Sequence, residues 1–285
     1  MRHLPMFLSG LTAGRSLPSV APQPFRDILP TIKQDVPNPK GKIAIFTGCL
    51  LDFVYVDIAT DVVKALNMAG YIVEMPLGQA CCGAPATYMG DVENAKKAAE
   101  MNLNAMEAEK YDYIVSACPT CTHALRDYVD FFKDDPEMLK KAEELRSKTF
   151  DFCKLVSMLG GLPDTGDGVP MKVTYHDSCH LNRYLGVTKE QRELLKATKG
   201  VELIEMHDCD KCCGFGGSYS VKFPEMSAPI LEEKINNIVA SGADVVAVDC
   251  PGCLLQIRGG LDARGLNNIQ VKHTAQIVVE KREKK

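Results

Sequence analysis

Tryptophan is missing altogether, and by itself this excludes no fold. The lack of long apolar runs excludes more. No stretch approaches the roughly 20 consecutive apolar residues that a membrane-spanning helix requires. The N-terminal segment Met1–Ala21 has apolar patches, but Arg2, His3, Gly10, Gly14 and Arg15 interrupt them, so no continuous apolar region precedes a small-residue cleavage site. Charge of one sign is lacking too. The net charge is −4, with acidic and basic side chains mixed along the chain, and no nucleic-acid-binding stripe is formed. The short basic end, Lys281-Arg282-Glu283-Lys284-Lys285, reads as a solvated tail. No Ser/His/Asp arrangement and no carboxylate pair stands out. The expectation is a cytoplasmic chain that reaches a membrane, if at all, through partners.

What the sequence does have is cysteine: 12 in 285 residues. In a reducing compartment, clustered thiols bind metal more often than they pair as disulfides. Ten of the cysteines fall into two matching sets. The first is Cys49, Cys81-Cys82, Cys118 and Cys121; the second is Cys179, Cys212-Cys213, Cys250 and Cys253. Between the single cysteine and the pair lie 31 residues in one set and 32 in the other; between the pair and the closing C-x-x-C lie 35 and 36. One offset, 130 to 132 residues, carries each part of the first set onto the second, which indicates an internal duplication.

The surroundings repeat as well. Lys42–Phe46 and Lys172–His176 both look like buried strands that run into a cysteine. Ile58, Val62, Leu66 and Ala69 recur at helical spacing, with Gly70 as a stop, and Tyr71–Met75 reads as the next strand. In the second half a helix near Thr188–Thr198 precedes Val201–Ile204. Each cysteine pair is followed by glycine and a helix, near Asp91–Glu109 and Ala228–Ala240, and then by a strand, Tyr113–Ser116 or Asp244–Val248, that ends at a C-x-x-C. This alternation predicts an α/β fold of two duplicated Rossmann-like halves with mainly parallel sheets, the cysteines lying at the C-terminal ends of the strands. A charged stretch, Asp135–Val156, is expected to be helical. The Gly/Pro/Asp segment from Gly160 to Gly168 marks the boundary: residues 1–40 form an extended arm or linker, 41–160 the first domain and 161–285 the second.

Thiolates are soft ligands suited to iron–sulfur clusters, zinc or copper(I). C-x-x-C brings two of them to one centre from a single turn. Adjacent cysteines on a strand face opposite ways, so Cys81-Cys82 and Cys212-Cys213 share a site only at a turn, for which Gly83 and Gly214 supply the backbone freedom. Pro119 and Pro251 stiffen the closing turns. A cubane cluster or a tetrahedral zinc needs four thiolates; the fifth in each set implies a more open cluster, a labile ligand or a bystander. Cys153, between Phe152 and Lys154 and close to Leu155, reads as core. Cys209 forms Cys209-x-x-Cys212 and has no first-half counterpart, which leaves an auxiliary redox role open. Gly214–Ser218 has the look of a phosphate loop but follows Cys-Cys, and it reads as a wrap around a cluster. His176, His180 and His207 are either outer partners of a cluster or solvent-facing loop residues. His123 and His273 have no clear role.

At these residues the chain resembles the cysteine-rich, or CCG, domain family, whose signature is a cysteine, a Cys-Cys-Gly and a Cys-x-x-Cys, usually twice. The resemblance runs from about Lys42 to Glu280. Members of that family include the iron–sulfur subunits of glycolate oxidase and of lactate utilisation, and the cysteine-rich B subunit of heterodisulfide reductase is related; the stretches Cys212–Lys222 and Asp134-Asp135-Pro136 are most similar to the lactate-utilisation subunit. It implies an electron-transfer subunit of a complex that oxidises a 2-hydroxy acid. Partners would be a flavin-containing dehydrogenase subunit that bears the catalytic site and a ferredoxin-like iron–sulfur subunit, because the arm is similar to a linker that follows a ferredoxin domain and no cysteine precedes Cys49. It also implies two 4Fe-4S clusters of noncubane type, one on Cys49, Cys81, Cys82, Cys118 and Cys121, the other on Cys179, Cys212, Cys213, Cys250 and Cys253. Competing readings are a heterodisulfide-reductase-like catalytic subunit, an anaerobic glycerol-3-phosphate dehydrogenase C-type subunit and a zinc-stapled scaffold.

Overall fold

Short, β-branched, fully buried segments set the architecture. The computed structural model describes residues 18–164 and 168–283, and the chain divides into two units, one of them running from Ala21 to Pro163 and the other containing the residues from Asp164 on. Residues 1–17 of the expected arm, Thr165–Asp167 of the expected boundary and the last two lysines of the basic end lie outside the described residues.

In the first unit, β1 (Gly41–Ile45), β2 (Tyr71–Glu74), β3 (Tyr113–Ser116) and β4 (Thr149–Asp151) form one sheet in the order β2-β1-β3-β4. Every pairing is parallel. Ile43, Ala44, Ile45, Ile114 and Val115 are wholly buried, as strands covered on both faces must be. The helices are α1 (Phe25–Ile28), α2 (Gly48–Phe53), α3 (Val56–Met68), α4 (Ala84–Tyr88), α5 (Val92–Met106), α6 (Pro119–Asp127), α7 (Pro136–Lys148) and α8 (Phe152–Met158). α3 buries Ile58, Val62 and Leu66, the residues of its helical period. α5 begins where the Asp91 carboxylate accepts the Asn94 N–H.

The second unit repeats the plan. β5 (Met171–Tyr175), β6 (Val201–Leu203), β7 (Val245–Val248) and β8 (Gln270–His273) pair in parallel in the order β6-β5-β7-β8. Its α-helices are α9 (Glu190–Lys196), α10 (Tyr219–Lys222), α11 (Pro224–Ser241), α12 (Pro251–Ala263) and α13 (Thr274–Glu280). In both sheets the first strand is followed by one neighbour on one side and by the next strand on the other. That reversal opens a crevice at the C-terminal ends of β1 and β3, and of β5 and β7, the place where ligands of such sheets bind.

Three expectations differ from the structure. Asp135–Val156 is not one helix, because α7 ends at Lys148 and β4 adds a fourth strand beside β3 before α8 begins. From Ala21 on, the arm is docked on the first unit. Phe25 is buried, Arg26 forms a two-pronged ion pair with the buried Asp52, and the Gln34 side chain bonds both Val73 N–H and Val73 C=O along the edge of β2. The basic end is not a solvated tail where it is described. Lys281 and Arg282 are buried; Lys281 Nζ donates to Val169 O, and Arg282 donates to Thr198 Oγ1 at 3.2 Å and Val278 O at 3.0 Å. Their apolar stems and the local carbonyls hold them where composition alone suggested water.

Candidate metal centres

All five cysteines of the first set stand at the C-terminal edge of the first sheet. Cys49 lies in the first turn of α2, just beyond β1. Cys81-Cys82 sits in the loop after β2, and Cys118 caps α6, with Pro119 at its first position and Cys121 in its first turn. A helix N-terminus carries partial positive charge and favours thiolate over thiol. The second set repeats this: Cys179 follows β5, Cys212-Cys213 follows β6, and Cys250 caps α12 with Cys253 in its first turn.

The sulfurs touch one another in sequence. Cys49 contacts Cys81, Cys81 contacts Cys82, Cys82 contacts Cys121 and Cys121 contacts Cys118. In the second half the same path runs Cys179, Cys212, Cys213, Cys253, Cys250. In each set the single cysteine and the first of the pair face the open side, while the other three are buried.

The turn between the paired cysteines and the next helix requires glycine. Gly83 and Gly214 have φ of +81° and +82°, and a Cβ would lie 3.2 Å from Ala95 O and 2.7 Å from Ser227 O. Side chains then pin the loops. Asn102 accepts the Ala80 N–H at 2.8 Å and donates to Cys81 O at 3.0 Å and Tyr128 Oη at 2.9 Å, while Tyr128 donates to Cys82 O at 3.0 Å. Gln79 ties this loop to the end of β1 by donating to Ile45 O and accepting from Thr47 N. In the second half, Ser227 donates to Gly214 O at 2.6 Å, and the buried Lys234 donates to Asp208 O and Cys209 O at 2.6 and 3.3 Å. Phe215 packs its ring on Gly252, inside the closing C-x-x-C, so Gly214–Ser218 wraps that turn.

The protons follow from this crowding. Cys81 is pushed far below the usual thiol range because Cys49 and then Cys82 hydrogen-bond to its sulfur. Cys49 is pushed up by the same contact with Cys81 and by burial. Cys121 goes up through its contacts with Cys118 and Cys82. Cys82 is drawn down by Cys121, but Cys81 and burial outweigh that and raise it. Cys212, Cys179, Cys253 and Cys213 repeat the pattern. In each set one sulfur is thus drawn toward the thiolate while three are held toward the thiol, so metal binding there releases protons. Five convergent soft donors, largely buried, fit a metal or iron–sulfur centre.

The other expected residues separate clearly. Cys153 is fully buried, with its N–H on Asp151, and belongs to the core. Cys209 lies beside Arg192, Sγ to Nη2 at 3.5 Å, and burial raises its thiol. Its backbone matters more: Cys209 O accepts Asp177 N–H, much as the Gln79 side chain accepts Thr47 N–H in the first half. Arg192 clamps Asp177 with two bonds, at 2.9 and 2.8 Å, and so fixes the approach to Cys179. His207 is exposed beside Asp208, and His123 pairs with Asp127. His180 Nδ1 is 3.7 Å from Cys179 Sγ. His273 is buried and caps α13: its Nδ1 accepts the Ala275 N–H at 3.1 Å, and its own N–H donates to Gln276 Oε1 at 2.9 Å. His176 is buried rather than solvent-facing, and burial, then Lys234, lowers its pKa to about 4. Asn102, Tyr128, Gln79 and Lys234 were not read from sequence. The 132-residue offset that maps Cys118 to Cys250 also maps Asn102 to Lys234, and it was the available signal.

The profile of the cysteine-rich domain family, CCG, matches residues 43–126 and 173–258. Lactate utilization protein A of Shouchella clausii (strain KSM-K16) is 39% identical over 240 residues, 84% of this chain and 99% of that protein. Lactate utilization protein A of Bacillus subtilis (strain 168) is 36% identical over 83% of this chain and 98% of its own length. A hypothetical protein from Helicobacter pylori shares the fold, with a TM-score of 0.62 at 11% identity; the match covers 92% of this chain and 54% of that one. Among the described residues no helix is long and apolar enough to cross a membrane.

Proposed function

The chain belongs to the cysteine-rich CCG domain family, and from that premise we propose that it is the iron–sulfur electron-transfer subunit of a lactate-oxidising complex. The observation that carries this reading is the pair of five-thiol sets, each in sulfur-to-sulfur contact at the crevice of its own parallel sheet. Cys49, Cys81, Cys82, Cys118 and Cys121 would hold one 4Fe-4S cluster, and Cys179, Cys212, Cys213, Cys250 and Cys253 the other. A fifth thiolate suits an open, noncubane cluster, since a cubane is complete with four. When bound, such a cluster takes up and returns electrons.

The protein's own residues hold and shape these sites. Asn102 and Tyr128 fix the carbonyls of Cys81 and Cys82, and Arg192 fixes Asp177 before Cys179. The open edges at Cys49, Cys81 and Cys212 give a partner access. The substrate is lactate because the relatives of near-equal length carry that name. Hydride chemistry would fall to a flavin on a partner subunit, with a ferredoxin-like subunit relaying electrons.

Oxygen-free reconstitution with iron and sulfide tests the reading. About eight irons per chain are expected if both sets fill with four-iron clusters. Zinc alone in oxygen-free purified protein would overturn it. Lactate oxidation by the purified chain alone, with an artificial acceptor, would overturn the assignment of the catalytic site to a partner.

A further inference from the structure

His176 and Phe46 are the same position in the two halves. Each follows the first strand of its sheet, and each donates its backbone N–H across the crevice, His176 to Ala247 O at 3.0 Å and Phe46 to Val115 O at 2.8 Å. Both side chains are buried, at 1% and 0% exposure. An apolar ring therefore fills this space adequately in the first half, and packing does not call for an imidazole in the second.

The imidazole is also set up to donate. His176 Nδ1 lies 3.2 Å from Cys209 O, and a carbonyl only accepts, so Nδ1 carries the proton and Nε2 is left with a free lone pair. Nε2 is buried and has no hydrogen-bond partner. A ring nitrogen of His176 and the sulfurs of Cys213 and Cys253 lie within 4.8 Å of one another. Donors that share one ion through bonds of about 2.0 to 2.3 Å stand roughly 3.5 Å apart, so a small approach brings all three to one metal. One ring nitrogen on a backbone carbonyl and the other left free to bind is how ligating histidines are usually held.

We propose that His176 is a nitrogen donor to the second centre, whose donor set is then five thiolates and one imidazole where the first has thiolates alone. This rests on the reading that the second set holds a metal centre, and it makes the two centres chemically different. Asn102 and Lys234 reinforce that difference, because the duplication places a neutral amide on the first centre's supporting helix and an ammonium on the second's.

The test uses the full chain grown with ¹⁵N-histidine or unlabelled, reconstituted without oxygen with iron and sulfide, and examined by pulsed electron paramagnetic resonance. Wild type should show a nitrogen coupling that changes with the isotope. His176→Phe, which installs the first half's residue, should lose it while keeping the first centre's signal, a sign that the chain has folded. His180→Asn should retain it. Absence of the coupling from wild type, or its persistence in His176→Phe, overturns the proposal. If iron and sulfide do not load, the electron-transfer reading fails separately, and cobalt(II) titrated into metal-free Cys82→Ser chains decides the role of His176. His176→Phe should then shift the cobalt absorption and weaken second-site binding about tenfold or more; identical titrations overturn it.

Discussion

Cys213 and Cys153 are both buried cysteines of one unit or the other, and only what their sulfurs touch separates them. Serine at Cys213 puts a hard, poorly ionised oxygen where a soft donor stands. Cys213→Ser should lose or convert the second centre and leave the first, and Cys82→Ser should do the reverse. Cys153→Ser should keep both and cost about 1–3 kcal/mol by placing a hydroxyl in the core. Iron content and spin resonance of each variant, with thermal unfolding for Cys153→Ser, check the set; full iron in both paired-cysteine variants would remove those cysteines from the ligands. Gly214→Ala belongs at the same scale. It imposes a positive φ of +82° on alanine and drives its Cβ to 2.7 Å from Ser227 O. Strain of order 1–3 kcal/mol in that turn should empty the second centre before the first, as iron assays would read. The cysteines were legible because their spacing repeats. His176 was only half legible, since a sequence does not tell a loop histidine from one that a strand end carries into the protein.

Elements carry the duplication further than the cysteines do. The closing turn of the second set has Gly252 under the ring of Phe215, and a Cβ on Gly252 would stand 2.6 Å from that ring. At the duplicated positions the first half has Thr120 and Ala84, so the large and small partners are exchanged. Gly252→Thr alone should destabilise the second unit by about 1–3 kcal/mol through overpacking. Adding Phe215→Ala, which recreates the first half's pair, should recover part of that loss, and a coupling of about 0.5 kcal/mol or more is expected. Denaturant unfolding of the four chains in the cycle measures it; strictly additive losses would mean that the two residues do not share the turn. The alternation of strand and helix was readable from β-branched runs and helical periods. β4 and β8 were not. Thr149–Asp151 is only three residues long and follows a charged helix, and Gln270–His273 holds a single apolar residue, Val271, after a Gly- and Asn-rich loop, so neither offers a run to count.

For the whole molecule, the decisive matter is that one backbone plan appears twice with different charges around it. The strand order and the sulfur contacts match in the two units. Lys234, however, is buried and interacts electrostatically with Cys213 and His176, while its counterpart Asn102 is neutral. Burial lowers the Lys234 pKa, yet its ammonium is held by two carbonyls. A cation beside a redox centre stabilises whichever state carries more negative charge, and that is the reduced state. A neutral imidazole among thiolates acts in the same direction, as it does where histidine replaces cysteine on iron–sulfur centres. The second centre should therefore accept electrons more readily than the first. In a redox titration of reconstituted protein, two steps are expected, and the step at higher potential should be the one that Cys213→Ser removes. Lys234→Gln should lower that step, by an amount on the order of 2–3 kcal/mol for a charge several ångströms away at an effective dielectric near 20, and should leave the other step in place. If the higher step instead disappears with Cys82→Ser, or Lys234→Gln leaves both potentials unchanged, the ammonium does not set the order in which the two centres are reduced.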